Sequence, residues 1–405
     1  MTEQSFAARL RQLRHERGLS LRGLAKLTYH GKSYLHELET GAKAPSPQVA
    51  RRLDDALRAM GELVALAGTR PGLRRRELVA AGLAAALPHS LLTHGRRIGA
   101  ATPARLLERT ARLRRLDNHL GGADTYHLYA AEVDATARLV REGSYRDDTG
   151  RQLLAVLAEQ AQLAGWSAFD AGRHDDAERL YRLSLSAAHD ADDAALAGNG
   201  LAFLAYQQLA LTGQATDTAT AACERAGTTA TPRVRALLHL RAAWAHALTG
   251  DDGATHRHLD LGTACLAEHD GRAEPDWVYW VDATEGEIMT GRCWAVLHRP
   301  VRAVPVLERA ILRFDDTYAR DKALYLSWLA DAYLDANEVE QACATAALAA
   351  RLSADVGSPR PGQRLEAVLN RLSPHAALPC VIELRALVAE AAKRPPSVPP
   401  TPGNR

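Results

Sequence analysis

The chain has 405 residues, enough for two or three domains, with 47% apolar and 5% aromatic residues and a net charge of +2. Ala and Leu dominate while valine–isoleucine runs are nearly absent, which disfavours a sheet protein and predicts an all-α fold. No apolar run approaches the ~20 residues of a membrane span, and the five isolated cysteines (Cys223, Cys265, Cys293, Cys343, Cys380) exclude a disulfide framework and suit a reducing, cytoplasmic setting.

The charge is unevenly placed. Residues 1–70 hold 12 Lys/Arg against 7 Asp/Glu, a surplus of five positive charges that leaves the rest of the chain three negative. A basic head on a mildly acidic body is the balance that phosphate binding by the head alone needs.

In chain order, a first helix is predicted from about Ser5 to Arg17, with Phe6, Leu10, Leu13 and Arg17 on one face and Gly18 as its stop. Ser20 can cap a second helix whose Leu21, Leu24, Ala25 and Leu27 face inward. Tyr29, His30 and Gly31 make a tight, Gly-bearing turn. A third helix spans about Lys32 to Thr40, with Leu35 and Leu38 inward and Gly41 as the stop. Ser46 followed by Pro47 starts a fourth, striped by Val49, Leu53 and Leu57. About a dozen aliphatic side chains, each contributing roughly 1.5–3 kcal/mol, can hold a five-helix domain over residues 1–68. Two short helices around a tight turn are the layout of a helix-turn-helix, which lays its second helix in the major groove.

Residues 69–102 read as a linker and connecting helix. Arg74-Arg75-Arg76 and the apolar run after them imitate an export signal, but the run is only about ten residues long and lies behind a folded domain, so a buried helix is the reading. Residues 103–392 repeat a helix end, a turn and a new helix. The equivalent positions 177, 218, 254, 303 and 342 lie 41, 36, 49 and 39 residues apart, a period that fits two helices and two turns of an α-solenoid. The tail over residues 393–405, KRPPSVPPTPGNR, reads as disordered.

Leu19-Ser20, Leu24-Ala25, Gly31, Tyr34-Leu35, Leu38-Glu39, Gly41 and Pro45-Ser46-Pro47 resemble the phage-repressor type of helix-turn-helix regulator. The resemblance implies a lambda-repressor-like head whose third helix presents Lys32, Ser33, Tyr34, His36 and Glu37 to base edges, with Arg22 and Lys43 as flanking DNA contacts. It also implies an internal ion pair between Arg14 and Glu39. The sequence departs from the family at Leu21, where a phosphate-binding Gln is common, and at Glu37, a slot that often holds Gln or Arg. Glu37 can accept from cytosine N4, while its charge repels phosphates. The later region resembles tetratricopeptide repeats, with an incomplete consensus and a longer period. The combination is similar to peptide-sensing regulators of Gram-positive bacteria, and the stretches around LDNHLGGADTYHLYA and QLAGWSAFDAGRHDDA resemble a group of actinobacterial regulators.

Repeat arrays of this type bind on the face built from the first helix of each pair. The candidates there are Tyr126, Tyr129, Trp166, Tyr206, Trp244, Trp280 and Tyr325, with His239 and Arg241 nearby, because aromatic rings give contact area at low entropy cost. The same residues can equally pack between helices. Trp277-Val278-Tyr279-Trp280 is the densest aromatic cluster.

Enzyme signals are weak. Gly31-Lys32-Ser33 ends like a phosphate loop, but no strand precedes it and it is better explained as a helix start. His256, His258, Asp251 and Asp252 lack further ligands at zinc-like spacing. No catalytic triad is identifiable, so no enzyme, cofactor or metal is expected. The expectation is a cytoplasmic homodimeric regulator, sequence-specific for double-stranded DNA, with half-sites about 34 Å apart or a multiple. A small molecule, peptide or protein would occupy its repeat groove, and no membrane is involved. The alternative is a protein-interaction scaffold or anti-regulator whose repeats sequester a partner while DNA binding is weak.

Overall fold

The N-terminal helices start at their caps. The structure, a computed structural model, describes residues 6–43, 45–59, 62–67, 97–314, 316, 318–354 and 356–393. Its first five helices are α1 (Phe6–Glu16), α2 (Leu21–Thr28), α3 (Lys32–Thr40), α4 (Pro47–Leu57) and α5 (Glu62–Ala67). Ser20 Oγ accepts from the Gly23 amide and Ser46 Oγ from the Val49 amide, each satisfying a donor that an open helix end leaves without a partner. Leu10, Leu24, Leu35, Leu38, Leu53, Leu57 and Leu63 close the core without exposure. Leu27 does not join them: it is 57% exposed. Thr28, one turn after Leu24, takes the inward position and donates its hydroxyl to the Leu24 carbonyl at 2.7 Å.

The turn between α2 and α3 falls at Tyr29, His30 and Gly31, as expected. Its left-handed residue is Tyr29 (φ 51°, ψ 39°), while Gly31 has an ordinary extended conformation (φ −60°, ψ 138°) and caps α3. Gly31 is small for another reason: a Cβ there would stand 3.0 Å from the carbonyl oxygen of Leu312.

The body begins with α6 (Thr102–Leu116) and α7 (Gly122–Glu142). Five helix pairs follow: α8 and α9 (Asp147–Asp170, His174–Asp190), α10 and α11 (Ala194–Thr212, Thr216–Ala226), α12 and α13 (Pro232–Leu248, Asp252–Ala267), α14 and α15 (Ala283–Val296, Pro300–Ile311), α16 and α17 (Ala319–Asp335, Val339–Ser353). Then come α18 (Arg360–Arg371) and α19 (Pro379–Lys393). The described residues hold no strand, only an isolated bridge between Arg97 and Ser144. Within each pair the helices pack antiparallel, and the first helices of successive pairs pack on one another. Ala177, Ala254, Ala303 and Ala342 are buried where paired helices meet. In the second pair that residue is Ala219, not Thr218. Ala219 lies three residues into α11, the same depth as Ala177 in α9, Ala303 in α15 and Ala342 in α17. The predicted connecting helix with its arginine run (residues 69–96) and the tail (394–405) lie outside the described residues.

The stack is not an open groove, because its early and late coils touch. The Ala123 amide donates to the Gly357 carbonyl at 3.0 Å. A Cβ on Gly121 would fall 2.2 Å from the Gly357 backbone, so only glycine permits this approach. Asp170, fully buried at the end of α8, accepts from the Gly122 amide at 2.8 Å and from Ser358 Oγ at 2.9 Å. Arg320 at the start of α16 pairs with Asp117 at 3.0 Å. Burial pushes the Asp170 carboxyl up, but Arg320 and Arg360 outweigh it and hold the group below the usual carboxylate range.

Candidate nucleic-acid interface and central chamber

The third helix offers its outer side. Lys32, Ser33, His36 and Glu37 are exposed on one face of α3, and Arg22 is exposed on α2. Tyr34 is half-buried, with Lys43 Nζ 4.6 Å above its ring. Beneath this face Arg14 makes a two-pronged contact with Glu39: Nε donates to Oε1 at 2.5 Å and Nη2 to Oε2 at 2.8 Å. Arg14 Nη1 also donates to the Leu19 carbonyl at 2.8 Å, so one guanidinium ties α1 to α3 and to the start of α2. Residues 5–67 match a helix-turn-helix domain family. That marks the head as a DNA-binding module. No curated protein matches the chain. No described helix is long and apolar enough to cross a membrane.

The helix-turn-helix does not stand free of the body. The turn before α3 docks on the connection between α15 and α16. Asp316 in that connection lies 2.9 Å from His30 Nε2, 2.7 Å from Arg52 Nη1 and 2.9 Å from Lys322 Nζ. Lys322 also donates to the carbonyls of Tyr29 at 2.6 Å and Phe314 at 2.8 Å. The Tyr29 hydroxyl lies 3.2 Å from Thr345 Oγ1 on α17. His30, Asp316 and Lys322 are all sealed from solvent. Burial pushes the Asp316 carboxyl up, but Lys322, His30 and Arg52 outweigh it and hold it well below the usual range. Burial pushes the His30 imidazole down, against the pull of Asp316, which favours the neutral ring.

Behind this contact the closed stack surrounds a chamber of about 950 Å³. Trp166, Tyr206, Trp244, Trp280 and Tyr325 line it, as do Trp277 and Tyr279 of the aromatic cluster. Tyr126 and Tyr129 are not among the lining residues. Tyr129 is buried, with its hydroxyl donated to the Leu113 carbonyl at 2.8 Å, and Tyr126 lies under the Arg173 guanidinium at 4.4 Å. His239 is elsewhere too, its Nδ1 lying 3.1 Å from Nδ1 of His258.

The chamber wall is richer in arginine than the aromatic residues suggest. The Tyr206 hydroxyl accepts from Arg360 Nη2 at 3.0 Å and Arg292 Nη2 at 3.3 Å, and Arg241 sits 4.6 Å over its ring. Burial pushes this phenol up, but Arg360, Arg292 and Arg241 together outweigh it and bring it down to about 7. Arg292 also lies 4.4 Å from the Trp244 ring centre, and Arg364 lies 3.5 Å from that of Trp328. Glu285 accepts from the Tyr325 hydroxyl at 2.9 Å, and burial raises its carboxyl to about 7 despite Arg292. Arg292, Arg360, Arg364, Trp328 and Glu285 carry no local sequence signal. They become notable only when three separate helices, α14, α16 and α18, bring them to one wall.

A smaller cluster joins Cys223, His239 and His258, one ligand atom from each lying within 4.8 Å of the others. The three residues come from α11, α12 and α13, so spacing along one helix cannot reveal them. Three such donors suit a zinc-like ion. A proton shared between two neutral imidazoles satisfies the same geometry, and burial pushes both rings down, His258 to about 4. His256, two residues from His258, packs instead on Trp294 with ring centres 4.6 Å apart.

Proposed function

We propose that the protein is a sequence-specific transcriptional regulator whose head (residues 1–68) reads DNA and whose tetratricopeptide-like body (residues 103–392) controls it through a bound ligand. The observation that carries this reading is the double use of the connection between α15 and α16. Arg313, Phe314, Tyr318, Arg320 and Asp321 line the chamber, while Asp316 and Lys322 of the same stretch grip the turn that starts the recognition helix. A ligand that favours one arrangement of this stretch shifts the population of docked heads by its differential affinity for the two states. The regulator acts in the cytoplasm as a homodimer on a pseudo-palindrome, because one small module buries little surface for tight binding.

The test is selection of duplexes from a random pool by the full chain, followed by mobility shift. Affinity should fall steeply, by orders of magnitude, between about 50 and 200 mM salt, and Lys32→Ala should weaken binding across sequences and flatten the salt slope. If no duplex shifts at low salt while the head is folded, the reading fails. Capture of a partner protein by the body would then favour a scaffold.

A further inference from the structure

We infer that the central chamber binds a small organic anion, with a compact oxyanion group seated among Arg241, Arg292 and Arg360 and a planar apolar body against Trp244 and Trp328. The inference deepens the proposed regulation and rests on its premise that the body holds a ligand.

The argument begins with charge. Most guanidiniums along the wall have a carboxylate: Arg114 has Glu159, Arg320 has Asp117, and Arg364 has Asp331. Arg360 reaches Asp170 at 3.2 Å, a carboxylate already shared with Arg320 and two other donors. Arg241 and Arg292 differ. Among the described residues no ion pair joins either of them: Arg292 donates to the Tyr206 hydroxyl and to Met289 Sδ at 3.2 Å, and Arg241 lies over the Tyr206 ring. Arg241 Nη1 and Arg292 Nε are sealed from solvent with no hydrogen-bond partner. Buried cations are retained where something of opposite charge compensates their desolvation. Among the described residues no ion pair supplies it, and the downward pull on Tyr206 is the mark of that surplus. The Glu285 carboxyl acts on both, yet its hydrogen bond goes to Tyr325 and burial keeps it from ionising fully at neutral pH.

Size and surface narrow the ligand. A volume of about 950 Å³ lies at the upper end of small-molecule pockets, roughly 300–1,000 Å³, and is far below that of a folded partner. Trp244 and Trp328 meet edge to face with ring centres 5.0 Å apart, and two guanidiniums stack on them. Such a corner suits a flat ring bearing a charged substituent, since the ring takes the indoles and the oxyanion takes the fork of the arginines.

The test uses the full chain without DNA, so its outcome is independent of whether the head reads DNA. Binding of 8-anilinonaphthalene-1-sulfonate is compared with that of neutral N-phenyl-1-naphthylamine by calorimetry and fluorescence. The sulfonate should bind at least about tenfold tighter than its neutral counterpart. Arg241→Met and Arg292→Met should each weaken the sulfonate about tenfold or more, and by more than they change binding of the neutral probe. The bound anion should also suppress the phenolate absorbance that titrates near neutral pH, a signal that Tyr206→Phe removes. Equal affinity of the unmodified chain for the two probes overturns the inference, and this comparison decides alone if a substitution unfolds the protein.

Discussion

Arg14 and Glu39 show what a single pair of side chains can hold. Both are buried, and their contact spans three elements of the head. Removing one partner strands the other as an unpaired buried charge, which costs more than the pair itself contributes. Glu39→Ala should therefore lower the stability of the head by about 3 kcal/mol, read from urea unfolding followed at the head, with exposed Lys32→Ala as a control that changes little. Residues of this kind were legible where their partners are near in sequence or belong to a known motif, as with Ser20, Ser46 and this pair. His30, Asp316 and Lys322 were not, because the interactions that give them meaning cross almost 300 residues. Arg292 was equally silent: nothing beside it in the chain says that no carboxylate will meet it.

At the scale of helices, small residues set the distances. Gly165 on α8 faces the ring of Tyr181 on α9, and a Cβ there would fall 2.5 Å from a ring carbon. Tyr181 cannot retreat, since it is buried and stacked on Phe203 at 5.3 Å with the rings 10° from parallel. Gly165→Ala should cost roughly 1–3 kcal/mol by overpacking, seen as a lower midpoint in thermal or denaturant unfolding of the body. No loss would mean that the two helices can slide apart. The alternation of helix, turn and small apolar residue was visible along the whole body, because it is local. Thr218 and Ala219 are neighbours, and which of them faces the paired helix depends on where α11 starts, at Thr216. Leu27 misled for a related reason: an eight-residue helix buries one narrow stripe, and Thr28 already fills it.

For the molecule as a whole, the docked head carries a pH dependence whose direction follows from its groups. His30 faces Asp316, Lys322 and Arg52, and packs on the ring of Tyr34. Its imidazole is pushed below the ordinary value of about 6.5 when docked. The released head therefore binds more protons below that pH, and docking is fully favoured above it and lost as pH falls towards the docked value. Asp316, held low, works in the same direction at still lower pH, its contribution present above about 3.9 and lost below. Protection factors at residues 29–31, taken relative to the intrinsic exchange rate at each pH, should fall between pH 7.5 and 5, and Asp316→Asn should lower them throughout. Protection that stays constant over this range would show that the ring is not what fastens the head. The fold class could be read from the sequence, since it depends on composition and short-range pattern. The closure of the body could not, because it accumulates from small rotations at every pair, none written in any one repeat.

The meeting of Ala123 with Gly357 changes how such a protein comes apart. A linear array can unzip from either terminus, one unit at a time, since each unit leans only on its neighbours. Here an early and a late coil brace each other, so the seam must part before the units between them are free to leave. The body then gains the all-or-none melting of a globular domain, and assembling it requires the chain to bring together residues more than two hundred positions apart, the slow kind of contact to form.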